Sequence, residues 1–197
     1  MRLLLGGTRE NNAAEDHDLM VQAGAGQTKA FEDLTHKHLR PMIILAQGIL
    51  GNAALADEVA QEAFLRLWRQ APHWDPLGAA SVRTWLSRVV TNLCYDQCRR
   101  KVMQPLDEIG DIEDQARDAF ETLTQKDQKR VVDYLLSALP ERQRTAIFLT
   151  YLEEMSGQEV AETMKLSLKA VESLLVRAKR KLRTLSIEKG FAWGENI

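Results

Sequence analysis

SGQEVAETMKLSLKAVESLLVRAKRKL, residues 156–182, is the stretch that decides the fold. It opens with a capping box: the Ser156 hydroxyl precedes the Glu159 carboxylate by three residues, so each can satisfy a free backbone donor at a helix start. Val160, Ala161 and Met164 supply a short apolar face, Lys165 and Leu166 a turn, and Ser167 a second cap. The next helix is expected to bury Val171, Leu175, Ala178 and Leu182. Two short helices, a tight turn and a basic second helix describe a helix-turn-helix. Such a unit reads duplex DNA when the first part of its second helix enters the major groove and flanking cations neutralise phosphates. Lys169, Glu172, Ser173, Val176 and Arg180 fall on the outward side. Lys169, Glu172 and Ser173 are placed for base edges, whereas Arg177, Lys179, Arg180 and Lys181 suit the phosphate backbone.

Working back toward the N-terminus, Val131, Val132, Leu135, Leu136 and Leu139 predict a short amphipathic helix starting near Lys129. Pro140 suits the first turn of the next helix, about 141–152, whose inner side is read as Ala146, Ile147 or Phe148, and Tyr151. Charge is arranged in blocks. Residues 165–183 carry seven basic side chains against Glu172 alone, and residues 83–101 carry five against Asp96 alone. Between them, residues 107–127 hold eight acids against Arg117 and Lys126. That middle stretch has weak apolar periodicity and includes Pro105 and Gly110, so it reads as a connector between two folded units. Its negative charge is expected to disfavour unassisted DNA binding.

Ahead of the connector the pattern is again helical, without sustained period-two alternation, so the fold class is all-α. Phe31, Leu34, Met42, Leu45 and Ile49 fit one stripe; Gly51 and Asn52 supply a stop and a new cap. A helix from Asn52 to about Gln70 is expected to bury Ala56, Val59, Ala63 and Leu67. Its second face, Glu58, Gln61, Glu62 and Leu65, is mixed acidic and apolar, which suits either plain surface or a dock for another protein's helix. Pro72, Pro76 and Gly78 then break the ladder and predict a loop displaying His73 and Trp74. A third long helix, about 81–101, is expected to bury Trp85, Val89 and Leu93 or Cys94. Cations beside aromatics and a short loop suit unpaired strands, where bases stack or are held out while arginines follow the backbone.

Composition sets limits. The chain has 197 residues, 45% of them hydrophobic and 27% charged, with a net charge of −2, inside the range of folded proteins and enough for two small domains. The longest apolar stretch, from Pro41 to Leu50, is far shorter than the ~20 residues of a membrane span, and the first residues read as a loose tail of a cytoplasmic protein. Cys94 and Cys98 are the only cysteines, which excludes a disulfide framework, and a zinc site lacks two further ligands. No metal or other cofactor is expected.

The segment from Ala56 to Trp68, ADEVAQEAFLRLW, resembles the second-region signature of the extracytoplasmic-function sigma factors, the small group IV promoter-recognition subunits of bacterial RNA polymerase. Thr84 to Asn92, TWLSRVVTN, followed by Arg99-Arg100, resembles the helix after it. Leu139 to Arg144, LPERQR, then Ser156 to Ala161 and Ala170 to Ala178 resemble the fourth region. The resemblance implies a sigma2-like helical bundle over residues 15–102 and a sigma4-like helix-turn-helix domain over 129–187. An acidic flexible linker, 103–128, joins them, with tails at 1–14 and 188–197. It implies further that Glu58, Gln61, Glu62 and Leu65 bind the clamp helices of the largest subunit of core RNA polymerase, whose flap region is a second contact. The loop from Pro72 to Ala79, with His73 and Trp74, matches the one that captures a flipped base of the minus-ten element. Arg88 and Asn92 match positions at the melting edge, and Arg83, Arg99, Arg100 and Lys101 join them as strand contacts.

On the same resemblance the final helix reads the minus-thirty-five element, through Lys165, Ser167, Lys169, Glu172, Ser173, Arg177 and Arg180. An anti-sigma factor is the expected regulatory partner, and promoter DNA the ligand. No catalytic residue is expected, since the polymerase performs the chemistry. The sequence departs from the family at Lys169-Ala170 and Glu172-Ser173-Leu174, and Glu172 favours a cytosine amino group over a phosphate. Two rival readings lack support. A stand-alone helix-turn-helix regulator would need a dimerisation pattern that is missing. An all-helical metal-dependent phosphohydrolase built on His17-Asp18, His36 and His38 lacks further ligands at set spacing.

Overall fold

The computed structural model describes residues 9–75, 78, 80–103 and 125–188; the side chains of 9–12, 101–103 and 125–130 are outside the description. The remaining parts of the expected tails and connector, and Pro76, Leu77 and Ala79, lie outside the described residues. The fold is all-α among those described, and it divides into two compact units, Met1–Tyr95 and Asp96–Ile197.

The N-terminal unit runs α1 (Arg9–Gly24), α2 (Thr28–Leu50), α3 (Ala53–Gln70), a single 3-10 turn (Ala71–His73) and α4 (Val82–Met103), the last of which crosses the division at Tyr95. Helix α1 starts at Arg9, inside the stretch read as a tail. Leu34, Met42, Leu45 and Ile49 of α2 are buried as expected, with Phe31 half-buried beside them. Facing α2, α3 buries Ala56, Val59, Ala60, Ala63, Phe64 and Leu67; its small alanines allow close helix approach. Gly51 ends α2 in the left-handed region at φ 66°, where a side chain would be strained. Asn52 then caps α3 by accepting the Leu55 N–H at 3.0 Å.

Helix α4 buries Cys94, one of the two expected residues at its end, but otherwise departs by one residue from the expected register. Its deepest side chains are Val82, Leu86, Val90 and Cys94, whereas Trp85, Val89 and Leu93 are half-buried. Two apolar rows lie side by side on this helix, so periodicity alone does not choose between them. Ser87, on the buried side, is fully covered with its Oγ donating to the Arg83 carbonyl at 2.9 Å, and Thr91 is buried as well.

The C-terminal unit runs α5 (Gln125–Ser137), α6 (Glu141–Ile147), a π turn (Phe148–Leu152), α7 (Gly157–Met164) and α8 (Leu168–Glu188). Leu135, Leu139, Ile147, Ala178 and Leu182 form its core, with Tyr151 and Leu175 partly covered against it. Val132, read as an inner residue, is 49% exposed. Leu149, outside the expected inner row, is fully buried, since it follows the buried Thr145 and Ala146 by four and three residues on the same face. Pro140 serves as the cap of α6 and stands just outside its first turn. Arg144 Nη1 donates to the Ser137 carbonyl at 3.2 Å and so closes the end of α5.

Candidate functional site

On α3, Glu58 and Gln61 are exposed and Leu65 is 52% exposed, one face as expected. Glu62 on the same face is half-buried and accepts the Arg66 Nε–H at 2.8 Å. Trp68 continues the row from Gln61 through Leu65, is 40% exposed, and packs edge-on against Phe31 with ring centroids 4.9 Å apart. Its signal was the spacing of three after Leu65, hidden because a tryptophan next to a buried stripe reads as core. Exposed Leu65 and Trp68, with Glu58 and Gln61 ahead of them and the Glu62–Arg66 pair at their side, make an apolar contact surface edged by charge.

On α4, Arg88, Asn92 and Arg99 fall within about 40° of each other around the helix at its usual rotation, so they share a face; Arg83 falls on another. Arg88 and Asn92 are half-buried, and the exposed Arg99 is paired with Asp96. Arg100 is exposed, and Lys101 belongs to α4 with its side chain outside the described residues. In the preceding loop His73 is exposed, but Trp74 is half-buried and held. The Trp74 indole N–H donates to His17 Nδ1 at 2.9 Å, and the ring packs edge-on against Trp85, centroids 6.4 Å apart.

The histidines considered for metal chemistry are otherwise engaged where the structure ties them down. His38 Nε2 lies 2.8 Å from Asp16 Oδ2, both buried, and Lys37 reaches Asp16 Oδ1 at 2.7 Å and Glu15 at 2.9 Å. Burial pushes the Asp16 carboxyl up, but hydrogen bonds and charge from His38 and Lys37 outweigh it and hold Asp16 below its ordinary value. Among the described residues no group of three or more such side chains is placed to hold a metal, and no helix is long and apolar enough to cross a membrane.

The second helix of the C-terminal pair carries its cations outward. Capping is as expected: Ser156 N–H donates to Glu159 Oε2 at 2.8 Å, Glu159 N–H to Ser156 Oγ at 3.3 Å, and Ala170 N–H to Ser167 Oγ at 3.2 Å. Lys165 forms the turn in the left-handed region at φ 54°. Lys165, Ser167, Lys169, Glu172, Arg177 and Arg180 are exposed, Ser173 is half-buried, and Val176 is 64% exposed in the middle of the face. Lys179 is drawn aside, its Nζ 5.0 Å from the centre of the Tyr151 ring.

The order of these surfaces along the chain matches known proteins. Residues 34–102 match the family model of sigma-70 region 2, and residues 129–182 that of sigma-70 region 4. The ECF RNA polymerase sigma factor SigW of Bacillus subtilis is 30% identical over 176 residues, covering 82% of this chain and 91% of that one. This chain belongs to the ECF RNA polymerase sigma factors. The sigma factor is also 31% identical over 174 residues to the probable RNA polymerase sigma factor RfaY of Xanthomonas campestris, covering 85% of this chain but 43% of that protein's length. CnrH of Cupriavidus metallidurans is 30% identical over 181 residues, covering 86% of this chain and 93% of that one. The structure of CnrH in complex with the cytosolic domain of CnrY superposes with a TM-score of 0.62 at 28% identity, covering 87% of this sigma factor and 96% of that chain.

Proposed function

We propose that this sigma factor, a member of group IV, binds core RNA polymerase in the cytoplasm and directs it to a set of promoters, under control of an anti-sigma factor. The observation that carries the reading is the face of α3, where Leu65 and Trp68 stand exposed among Glu58, Gln61 and Glu62 in a chain whose other two surfaces are cationic. An acidic, apolar face repels DNA and suits a basic protein helix, so it is assigned to the polymerase clamp, with the flap region a further contact for the C-terminal domain. His73, Trp74, Arg83, Arg88, Asn92 and Arg99 to Lys101 are assigned to the opened minus-ten strand. Lys165, Ser167, Lys169, Glu172, Ser173, Arg177 and Arg180 are assigned to the minus-thirty-five duplex. These assignments give domain limits of 15–102 and 129–187, the acidic 103–128 segment linking them and damping DNA binding in the absence of polymerase. That CnrH is found in complex with the cytosolic domain of CnrY supports a protein partner of this kind for this chain too. The chemistry of chain synthesis belongs to the polymerase, and this chain supplies binding alone.

Run-off transcription with purified core polymerase on a randomised promoter library tests the reading. Recovery of a promoter class with two separated conserved elements is expected. Tight, sequence-specific binding of the isolated chain, or no directed initiation with core polymerase, overturns it.

A further inference from the structure

We propose that α1, which lies ahead of the matched sigma-70 region 2, belongs to the strand-handling site, with His17 as a positioning residue for the loop at Pro72–Asp75. The inference rests on the minus-ten assignment above and adds to it a residue from outside the matched segment.

Three contacts place the loop. The Trp74 indole N–H donates to His17 Nδ1 at 2.9 Å, with the two rings 5.6 Å apart. Gly24, two helical turns after His17 and therefore on the same face of α1, meets the loop's backbone: a β-carbon there would come within 2.4 Å of the Ala71 carbonyl oxygen. Trp74 in turn packs edge-on against Trp85, and Trp85, Arg88 and Asn92 share one face of α4 at spacings of three and four. Contacts therefore run from α1 through Trp74 to Trp85, which shares its face of α4 with the residues assigned to the melting edge. Helix α1 is itself fixed to α2, because Asp16 is bound by His38 and Lys37.

This arrangement divides the two loop aromatics between tasks. Trp74 spends its only side-chain donor on His17 and packs its ring against two neighbours, so it supports the loop. His73, exposed beside it, is left to meet the displaced base. The orientation of His73 toward the strand depends on the acceptor at position 17.

The test uses the full chain assembled with core polymerase and a fluorescent single-stranded oligonucleotide carrying the minus-ten sequence of the best promoter recovered from the randomised library. His17→Phe keeps a ring and removes the acceptor; His17→Gln supplies an amide oxygen in its place. His17→Phe is expected to weaken strand capture about fivefold, with core-polymerase affinity and unfolding midpoint unchanged, and His17→Gln to restore it within about twofold. Gly24→Ala, whose β-carbon would collide with the Ala71 carbonyl, is expected to weaken capture too, here together with a lowered unfolding midpoint. Unchanged capture in His17→Phe and Gly24→Ala overturns the inference. So does a loss in His17→Phe that tracks core affinity or the unfolding midpoint and is not rescued by glutamine. Arg88→Ala and Asn92→Ala in the same assay separate the two levels. If they weaken capture while the His17 and Gly24 variants do not, the inference falls alone; if they too are without effect, the minus-ten assignment falls and takes the inference with it.

Discussion

In the N-terminal unit the polar contacts that organise the fold join residues far apart in the chain: His38 with Asp16 at 2.8 Å, Trp74 with His17 at 2.9 Å. In the C-terminal unit they join near neighbours, as in the Ser156–Glu159 box and the Ser167 cap on Ala170. Long helices have few ends, and their relative placement must be set by contacts between helices. Short helices are mostly ends, so local caps carry a larger share of their definition. The N-terminal unit therefore ties α1 and a loop together through buried or half-buried polar groups. The C-terminal unit presents a surface whose geometry comes from its turn.

The largest expected effect tests whether the N-terminal unit is the one that meets the polymerase. Replacing Glu58 and Glu62 together by alanine should reduce promoter-directed transcription by about a hundredfold or more, while circular dichroism and the unfolding midpoint stay as they are. Full transcription from the double variant removes the docking face from α3.

Next comes Asp16→Ala. It leaves Lys37 and His38 facing an emptied site and should cost about 3 kcal/mol, read by urea unfolding. Hydrogen exchange should place the loss in α1 and α2; equal loss of protection in α5–α8 would break the contrast between the units. Acid provides a gentler version. The folded Asp16 carboxyl lies below its ordinary value near 3.8, so its contribution is complete above that pH and is lost as pH falls through the lowered value. The raised Lys37 group behaves in the opposite sense. Its contribution is complete below 10.5 and is lost only as pH rises beyond it. Exchange in α1 and α2 should therefore rise first in acid, and Asp16→Ala should abolish that acid step.

Two smaller changes sharpen the C-terminal side. Ser156→Ala removes the capping box and should cost about 1 kcal/mol, with fraying confined to the start of α7. Lys165→Gly should stabilise the unit by about 0.5 kcal/mol, because the turn holds a lysine at φ 54°. The same change should weaken minus-thirty-five binding through the lost cation, so stability and affinity move in opposite directions. Parallel movement of the two would show that Lys165 serves the turn alone.

Legibility in the sequence divides along the same line. The capping box, the Ser167 and Asn52 caps, the Gly51 stop and the outward row on α8 are readable because each depends on residues within a turn or two of one another. The acids of α3 are readable for the same reason. Reading fails where two faces of one helix are equally apolar, as on α4 and again after Ala146, where Leu149 goes inside. Trp74, read as displayed by its loop, is half-buried and held, whereas Trp68 stands exposed. A tryptophan is amphipathic, and its neighbours in space decide whether its ring is covered.

Periodicity and end signals along the chain determined by themselves that this protein is all-α, that a helix-turn-helix closes its described part, and that charge alternates by block. Only the tertiary structure decided which face of α4 is buried, which aromatic in the loop is exposed, and that His17 and Gly24 of α1 hold that loop. The reason is range. Helix formation and capping are satisfied within one or two turns of chain, whereas covering a half-apolar face or supplying an acceptor to an indole depends on residues up to 57 positions away.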